Sequence, residues 1–85
     1  MTKPYMITLS NGTRAWYLEG LLHRTTGPAI ERPDGTRAWF AHGQLHRSDS
    51  PAVEYPDGTC EWYINGQQVD EGTVKLMQFL QGKIK

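Results

Sequence analysis

Two hydrophobic periods divide this chain. From about residue 5 to residue 69, apolar and polar positions alternate in short runs broken by Gly and Pro, the pattern of half-buried β-strands. Beyond Val69 the period changes, and Leu76, Met77, Phe79, Leu80 and Ile84 fall on one arc of a 3.6-residue wheel. This predicts a helix from about Glu71 to Gln81, with Asp70 as its cap and Gly82 just past its end. In the strand region, Ala29–Arg32 and Thr36–Phe40 flank Pro33-Asp34-Gly35, which suits a type I turn with a left-handed glycine in a bulge. Pro56-Asp57-Gly58 repeats that signal, and Asn11-Gly12 reads as its tight two-residue version.

The alternation is itself repeated. Sliding the sequence by 23 positions brings Asn11-Gly12-Thr13 onto Asp34-Gly35-Thr36 and then onto Asp57-Gly58-Thr59, and residues 11–33 and 34–56 agree at 13 of 23 positions. The third copy keeps Trp62-Tyr63 and Asn65-Gly66 but reads Val69-Asp70 where the others read His-Arg. Cut in front of the first strand of each copy, the hairpins span about 5–27, 28–50 and 51–69. A unit that recurs by translation in an antiparallel meander needs an even number of strands. The expected fold is therefore mainly β: a single curved antiparallel sheet of about six strands in three stacked hairpins, with a C-terminal α-helix capping its open end.

The run Pro33-Asp34-Gly35-Thr36-Arg37-Ala38-Trp39-Phe40, with Gly43, Leu45, His46 and Arg47 after it, resembles the MORN repeat. That repeat is a hairpin of the same length, with aspartate-glycine at the turn and aromatic residues on its second strand. The run is also similar to the Trp-Tyr-x-Asn-Gly-x-x-His-Arg-x-Asp-Gly-Pro-Ala repeats of small phage and large-virus proteins. The resemblance covers roughly residues 5 to 69 and departs from MORN where Arg24, Arg47, Pro28 and Pro51 replace loop glycines. It implies an interaction or assembly module, in the viral case an accessory protein that occupies or inhibits a host component. It carries no catalytic residues with it.

Composition narrows the chemistry. Eighty-five residues suffice for one domain, 1–85. Nine basic and nine acidic residues balance, which argues against a nucleic-acid backbone or an anionic membrane as partner. One cysteine, Cys60, makes no internal disulfide, and neither an apolar run of membrane length nor a signal-peptide core is present, so a cytoplasmic chain is expected. Cys60 has no adjacent histidine to activate it, and His42 and His46 straddle the Gly43 turn instead of sharing a helical face. No enzyme, metal or cofactor is expected.

Two constellations remain. Trp16, Trp39 and Trp62 recur at one strand position, each followed by Tyr17, Phe40 or Tyr63, and the period of 2 sends each pair to opposite faces. The tryptophans are expected to form the core with Ile7, Ile30 and Val53. The row Tyr17, Phe40 and Tyr63 is then an open stripe for a protein partner or for a symmetric homodimer. The second constellation is His23-Arg24 and His46-Arg47. With repeats about 10 Å apart, these pairs share one sheet edge, where they would hold a nucleotide or other phosphorylated molecule. Alternatively each histidine closes its loop on backbone groups while each arginine pairs with Asp49, Glu31 or Glu54.

Overall fold

The computed structural model describes residues 3–83: ten short strands and one C-terminal helix. The strands are β1 (Tyr5–Thr8), β2 (Arg14–Leu18), β3 (Leu21–Leu22), β4 (Ile30–Glu31), β5 (Arg37–Ala38), β6 (Phe40–Ala41), β7 (Gln44–Leu45), β8 (Val53–Glu54), β9 (Cys60–Ile64) and β10 (Gln67–Val69). Helix α1 spans Glu71–Lys83. Every pairing is antiparallel; the main sheet runs β1-β2-β4-β5-β8-β9-β10 with β3 beside β2, while β6 and β7 pair separately.

The strand count exceeds the six expected, for a local reason. Glu19-Gly20, His42-Gly43 and Asn65-Gly66 all take positive φ at both residues, the geometry of a type I′ turn. Such a turn matches the strand twist and keeps the chain paired, setting Leu21 opposite Leu18, Gln44 opposite Ala41 and Gln67 opposite Ile64. The even count survives all the same. β3 pairs with Tyr17–Leu18 and β4 with Arg14–Ala15, so they lie end to end in one direction along one edge of β2. Residues 24–28, with Arg24 among them, bow out between them, while His23 and Ala29 both bond the backbone of Trp16.

The turns explain the aspartates. Gly12, Gly35 and Gly58 each donate N–H to the carbonyl three residues back, at 2.9–3.0 Å, with φ near +90° to +98°. Asn11 therefore does not make a tighter turn than the two aspartates. The side chains of Asn11, Asp34 and Asp57 each accept the N–H of the threonine two residues on, at 2.9, 2.8 and 2.9 Å. Successive turns also pack: a Cβ on Gly12 would stand 3.2 Å from Pro33 Cγ, one on Gly35 3.8 Å from Pro56 Cβ, and one on Gly58 in open space. Thr13 and Thr36 are accordingly buried and Thr59 is exposed.

The core differs from expectation. Among the described residues Ala15, Ala29, Ala38, Ala52, Val53 and Val74 are its buried apolar residues, and no large side chain is wholly buried. The register aligns Ile7, Ala15, Ile30, Ala38, Val53 and Glu61 across the sheet, so Ile7, Ile30 and Val53 alternate with alanines in place of tryptophans. The Ala29 N–H donates to the Ala38 carbonyl (2.8 Å) and the Ala52 N–H to the Glu61 carbonyl (2.9 Å), although Ile30 and Val53 face those residues. Two residues thus oppose one, a β-bulge in the second and third copies, and the three tryptophans are half-buried.

Asp70 caps α1 as expected, its Oδ1 accepting the Thr73 N–H at 2.6 Å. The helix runs through Gly82 to Lys83 instead of ending before the glycine. Val74 is buried and Gln78 Nε2 donates to the Ser48 carbonyl (2.9 Å), but Leu76, Met77, Phe79 and Leu80 are exposed. Ile84, on the expected apolar arc, lies outside the described residues.

These bonds set a pH dependence. The Thr36 N–H and hydroxyl hold Asp34 below its usual pKa, the Thr59 hydroxyl and N–H do the same for Asp57, and the Thr73 N–H for Asp70. Because the folded values lie below the unfolded one, their stabilisation is complete above about pH 4 and is lost as pH falls through the folded values. The triple variant Asp34→Asn, Asp57→Asn, Asp70→Asn should melt below the parent at about pH 6, and the gap should narrow by about pH 2.5. A gap independent of pH would show that these carboxylates carry no such linkage.

Candidate functional site

The His-Arg loops are built around a stacked cation. The Arg24 guanidinium carbon lies 3.7 Å from the centre of the Trp16 ring, and that of Arg47 3.8 Å from Trp39. Arg24 Nη1 donates to the Pro28 carbonyl at 3.0 Å, and Arg47 Nη1 to that of Pro51 at 3.2 Å. Proline has no N–H for the ladder, but its carbonyl is free to accept. Glu31 Oε2 stands 3.6 Å from Arg24 and its Oε1 3.1 Å from Arg14; Glu54 repeats this with Arg47 at 3.4 Å and Arg37 at 2.9 Å. A Cβ on Gly27 would sit 3.3 Å from the guanidinium of Arg24, and the next copy carries Ser50 at the equivalent position beside Arg47.

The histidines clasp the next copy. His23 Nδ1 accepts the His42 N–H and His46 Nδ1 the Asn65 N–H, both at 3.0 Å. His42 and Asn65 occupy the left-handed first position of the type I′ turns, and the glycines after them, Gly43 and Gly66, donate to the carbonyls of Leu22 and Leu45 at 2.8 Å. Arg24 and Arg47 donate their own N–H groups to the carbonyls of Phe40 and Tyr63, at 3.3 and 3.2 Å. Each Leu-His-Arg tripeptide therefore holds the turn of the following copy at three points. The third copy has no successor, which accounts for Val69-Asp70 in its place: Val69 stays paired opposite Trp62, and Asp70 starts the helix.

Of the residues singled out from the sequence, Arg24, Phe40, His46 and Arg47 converge on one open groove of about 560 Å³. Its walls are the loops Arg24–Gly27 and His46–Asp49, and Trp39 and Phe40 form its floor. Tyr17, His23 and Tyr63 lie outside it. His23 is buried against the His42 ring (centroids 4.5 Å apart), Tyr17 is half-buried near Tyr5 (6.2 Å), and Tyr63 is half-buried opposite Gln68. The three aromatics thus do not form one bare stripe, since the short strands β3, β7 and β10 lie alongside them. Cys60 is exposed, and among the described residues no three His, Cys, Asp or Glu side chains converge on a metal position.

What the sequence reading missed is the exposed apolar surface at the two ends of the chain: Tyr5, Met6, Ile7 and Leu9 in and after β1, and Leu76, Met77, Phe79 and Leu80 on α1. The signal was present for β1, whose residues occupy positions equivalent to Pro28–Glu31 and which is the end strand of the sheet among the described residues. Compared with known proteins, the chain matches no family model, no curated protein and no solved structure.

The geometry separates the two kinds of arginine. Arg24→Gln or Arg47→Gln should each destabilise the fold by about 1–3 kcal/mol, since the glutamate and the indole both lose a half-buried partner. Arg14→Gln or Arg37→Gln, whose side chains are 55% exposed, should change stability by no more than about 0.5 kcal/mol. Urea midpoints of the four variants check this, and equal effects at all four would refute the stacked-cation account.

Proposed function

We propose that this chain is a non-enzymatic binding protein: a curved stack of three MORN-like hairpins that acts in the cytoplasm on a protein partner and also self-associates. The setting implied by the viral resemblance is a phage-encoded accessory protein or inhibitor of a host component. The observation that carries the reading is the groove on Trp39 and Phe40, where side chains of consecutive copies meet over an aromatic floor. Rigid rings that are half-covered and flanked by hydrogen-bonding loops suit an extended protein segment better than an isolated small molecule.

The rival reading, a nucleotide or phosphorylated ligand held by Arg24, Arg47, His23 and His46, is weakened by the partners that these groups already have. Both guanidinium groups face glutamates and carbonyls, both Nδ1 atoms accept backbone N–H groups, and Asp49 adds a carboxylate to the groove wall. An anion would enter a site whose positive charge is already matched.

The test starts from affinity capture of the partner with the full chain, followed by titration against variants. Thr26→Arg and Asp49→Arg crowd the groove without touching the Arg–Trp contacts. Each should weaken partner binding about 10-fold or more, equivalent to about 1.4 kcal/mol, with an unchanged melt. A panel of nucleotides and sugar phosphates at saturating concentration should leave the melting temperature in place. If a phosphorylated ligand stabilises the chain by about 2.7 kcal/mol at 100 times its Kd, and the groove variants leave the protein partner unaffected, the rival reading takes over.

A further inference from the structure

We propose that the groove over Trp39 and Phe40 takes one extended protein segment, laid between its two loop walls and bonded to their main chains, with a lysine or arginine of that segment set on Asp49. This rests on the groove as the site of the protein partner, and adds the partner's conformation and charge.

The floor is a single stretch of chain with a wall on each side. The Phe40 carbonyl accepts the Arg24 N–H at 3.3 Å and the Trp39 carbonyl accepts the His46 N–H at 3.0 Å. Neighbouring carbonyls of an extended chain point to opposite sides, so the two walls rise from opposite edges of the floor. β2 and β5 flank β4, which makes the step from one copy to the next two strand spacings, about 10 Å. Equivalent points of the two walls are thus separated by the width that one further extended chain fills, with about 4.8 Å on either side of it.

Both walls present main-chain groups that nothing in the chain has taken. Among the described residues the N–H and C=O groups of Thr25, Thr26 and Gly27 make no hydrogen bond, and of those of Ser48, Asp49 and Ser50 only the Ser48 carbonyl is occupied, by Gln78. His46 adds a fixed donor. Its Nδ1 accepts the Asn65 N–H, so Nε2 carries the proton, and among the described residues no acceptor meets it. An extended chain is the ligand that offers donors and acceptors in alternation to two walls at once.

Asp49 sets the charge of the occupant. Asp34, Asp57 and Asp70 each accept a threonine N–H and so hold a turn or the helix start. Asp49 has neither a hydrogen bond nor an ion pair among the described residues, and it is exposed on the groove wall. Arg24 and Arg47, the cations of the same groove, stand 3.6 and 3.4 Å from glutamates and also donate to proline carbonyls. The groove's unmatched charge is therefore negative, and a basic side chain complements it where an acidic one is repelled. On the other wall the equivalent residue is Thr26, which is neutral, so the attraction comes from one side and fixes the register of the segment.

Selection of random linear peptides on the full chain should enrich sequences with lysine or arginine at one fixed position. The tightest of them, synthesised and titrated, should lose affinity about 10-fold or more against Asp49→Asn, and by a similar factor when its own basic residue is replaced by glutamate. Asp49→Lys should recover the glutamate peptide, and Thr26→Arg should weaken every groove binder. On the unmodified chain, saturating peptide should slow exchange of the Thr25, Thr26 and Gly27 amides about 10-fold or more; if a variant melts below the parent, this measurement and the glutamate peptide decide. Peptides that are lost with Thr26→Arg but carry no fixed basic position and ignore Asp49→Asn would overturn the charge assignment and leave the groove as the partner's site. Unchanged exchange of the wall amides would overturn the main-chain bonding. Peptides indifferent to Thr26→Arg, or a library without binders, would overturn the inference and the groove reading together.

Discussion

Everything in this sheet leans on an arginine lying flat on a tryptophan. The chain spans 46 × 37 × 18 Å by its Cα atoms, and its helix covers little of the sheet, so a conventional interior does not exist. An indole on such a face would be left to water. A guanidinium group covers it, because that cation is planar, weakly hydrated and still has N–H groups at its rim for other bonds. Those N–H groups reach a proline carbonyl and a glutamate, and the glutamate's second oxygen takes the arginine of the neighbouring strand.

The same tripeptides explain how one copy holds the next. Leucine supplies a carbonyl, histidine a ring nitrogen and arginine a backbone N–H to the turn and strand that follow. Contacts of this kind link nearest neighbours, so stability accumulates copy by copy and each end needs its own solution. At the C-terminal end, β10 and α1 follow the long strand of the third copy. At the N-terminal end, β1 is left with exposed Tyr5, Met6 and Ile7.

Much of this was legible in the residues. The 23-residue period, the Asp-Gly turns, the aspartate cap and the mainly antiparallel character all rest on local rules that tertiary contacts did not override. The error over the core came from treating alternation as strict. The bulges at Ala29 and Ala52 add a residue to one strand, and no short-range signal distinguishes them from ordinary ladder positions. The short strands after Glu19-Gly20 and its equivalents were missed because a non-glycine residue at positive φ was not expected at Glu19 or His42. Glu31 and Glu54 were visible as partners for the arginines, whereas the proline carbonyls were not, since an acceptor on the main chain has no signature in the side-chain code.

The groove that brings Arg24, Phe40, His46 and Arg47 together is thus made by the parts that hold the fold, and the charges of its arginines are settled before any ligand arrives. The account stands or falls on the Arg–Trp contact as a real coupling and not a chance proximity. A double-mutant cycle of Trp39→Leu and Arg47→Met, read by urea denaturation, measures it directly. Coupling of about 0.5–2 kcal/mol is predicted from a partly desolvated cation on an indole. Additive effects, with coupling indistinguishable from zero, would contradict it.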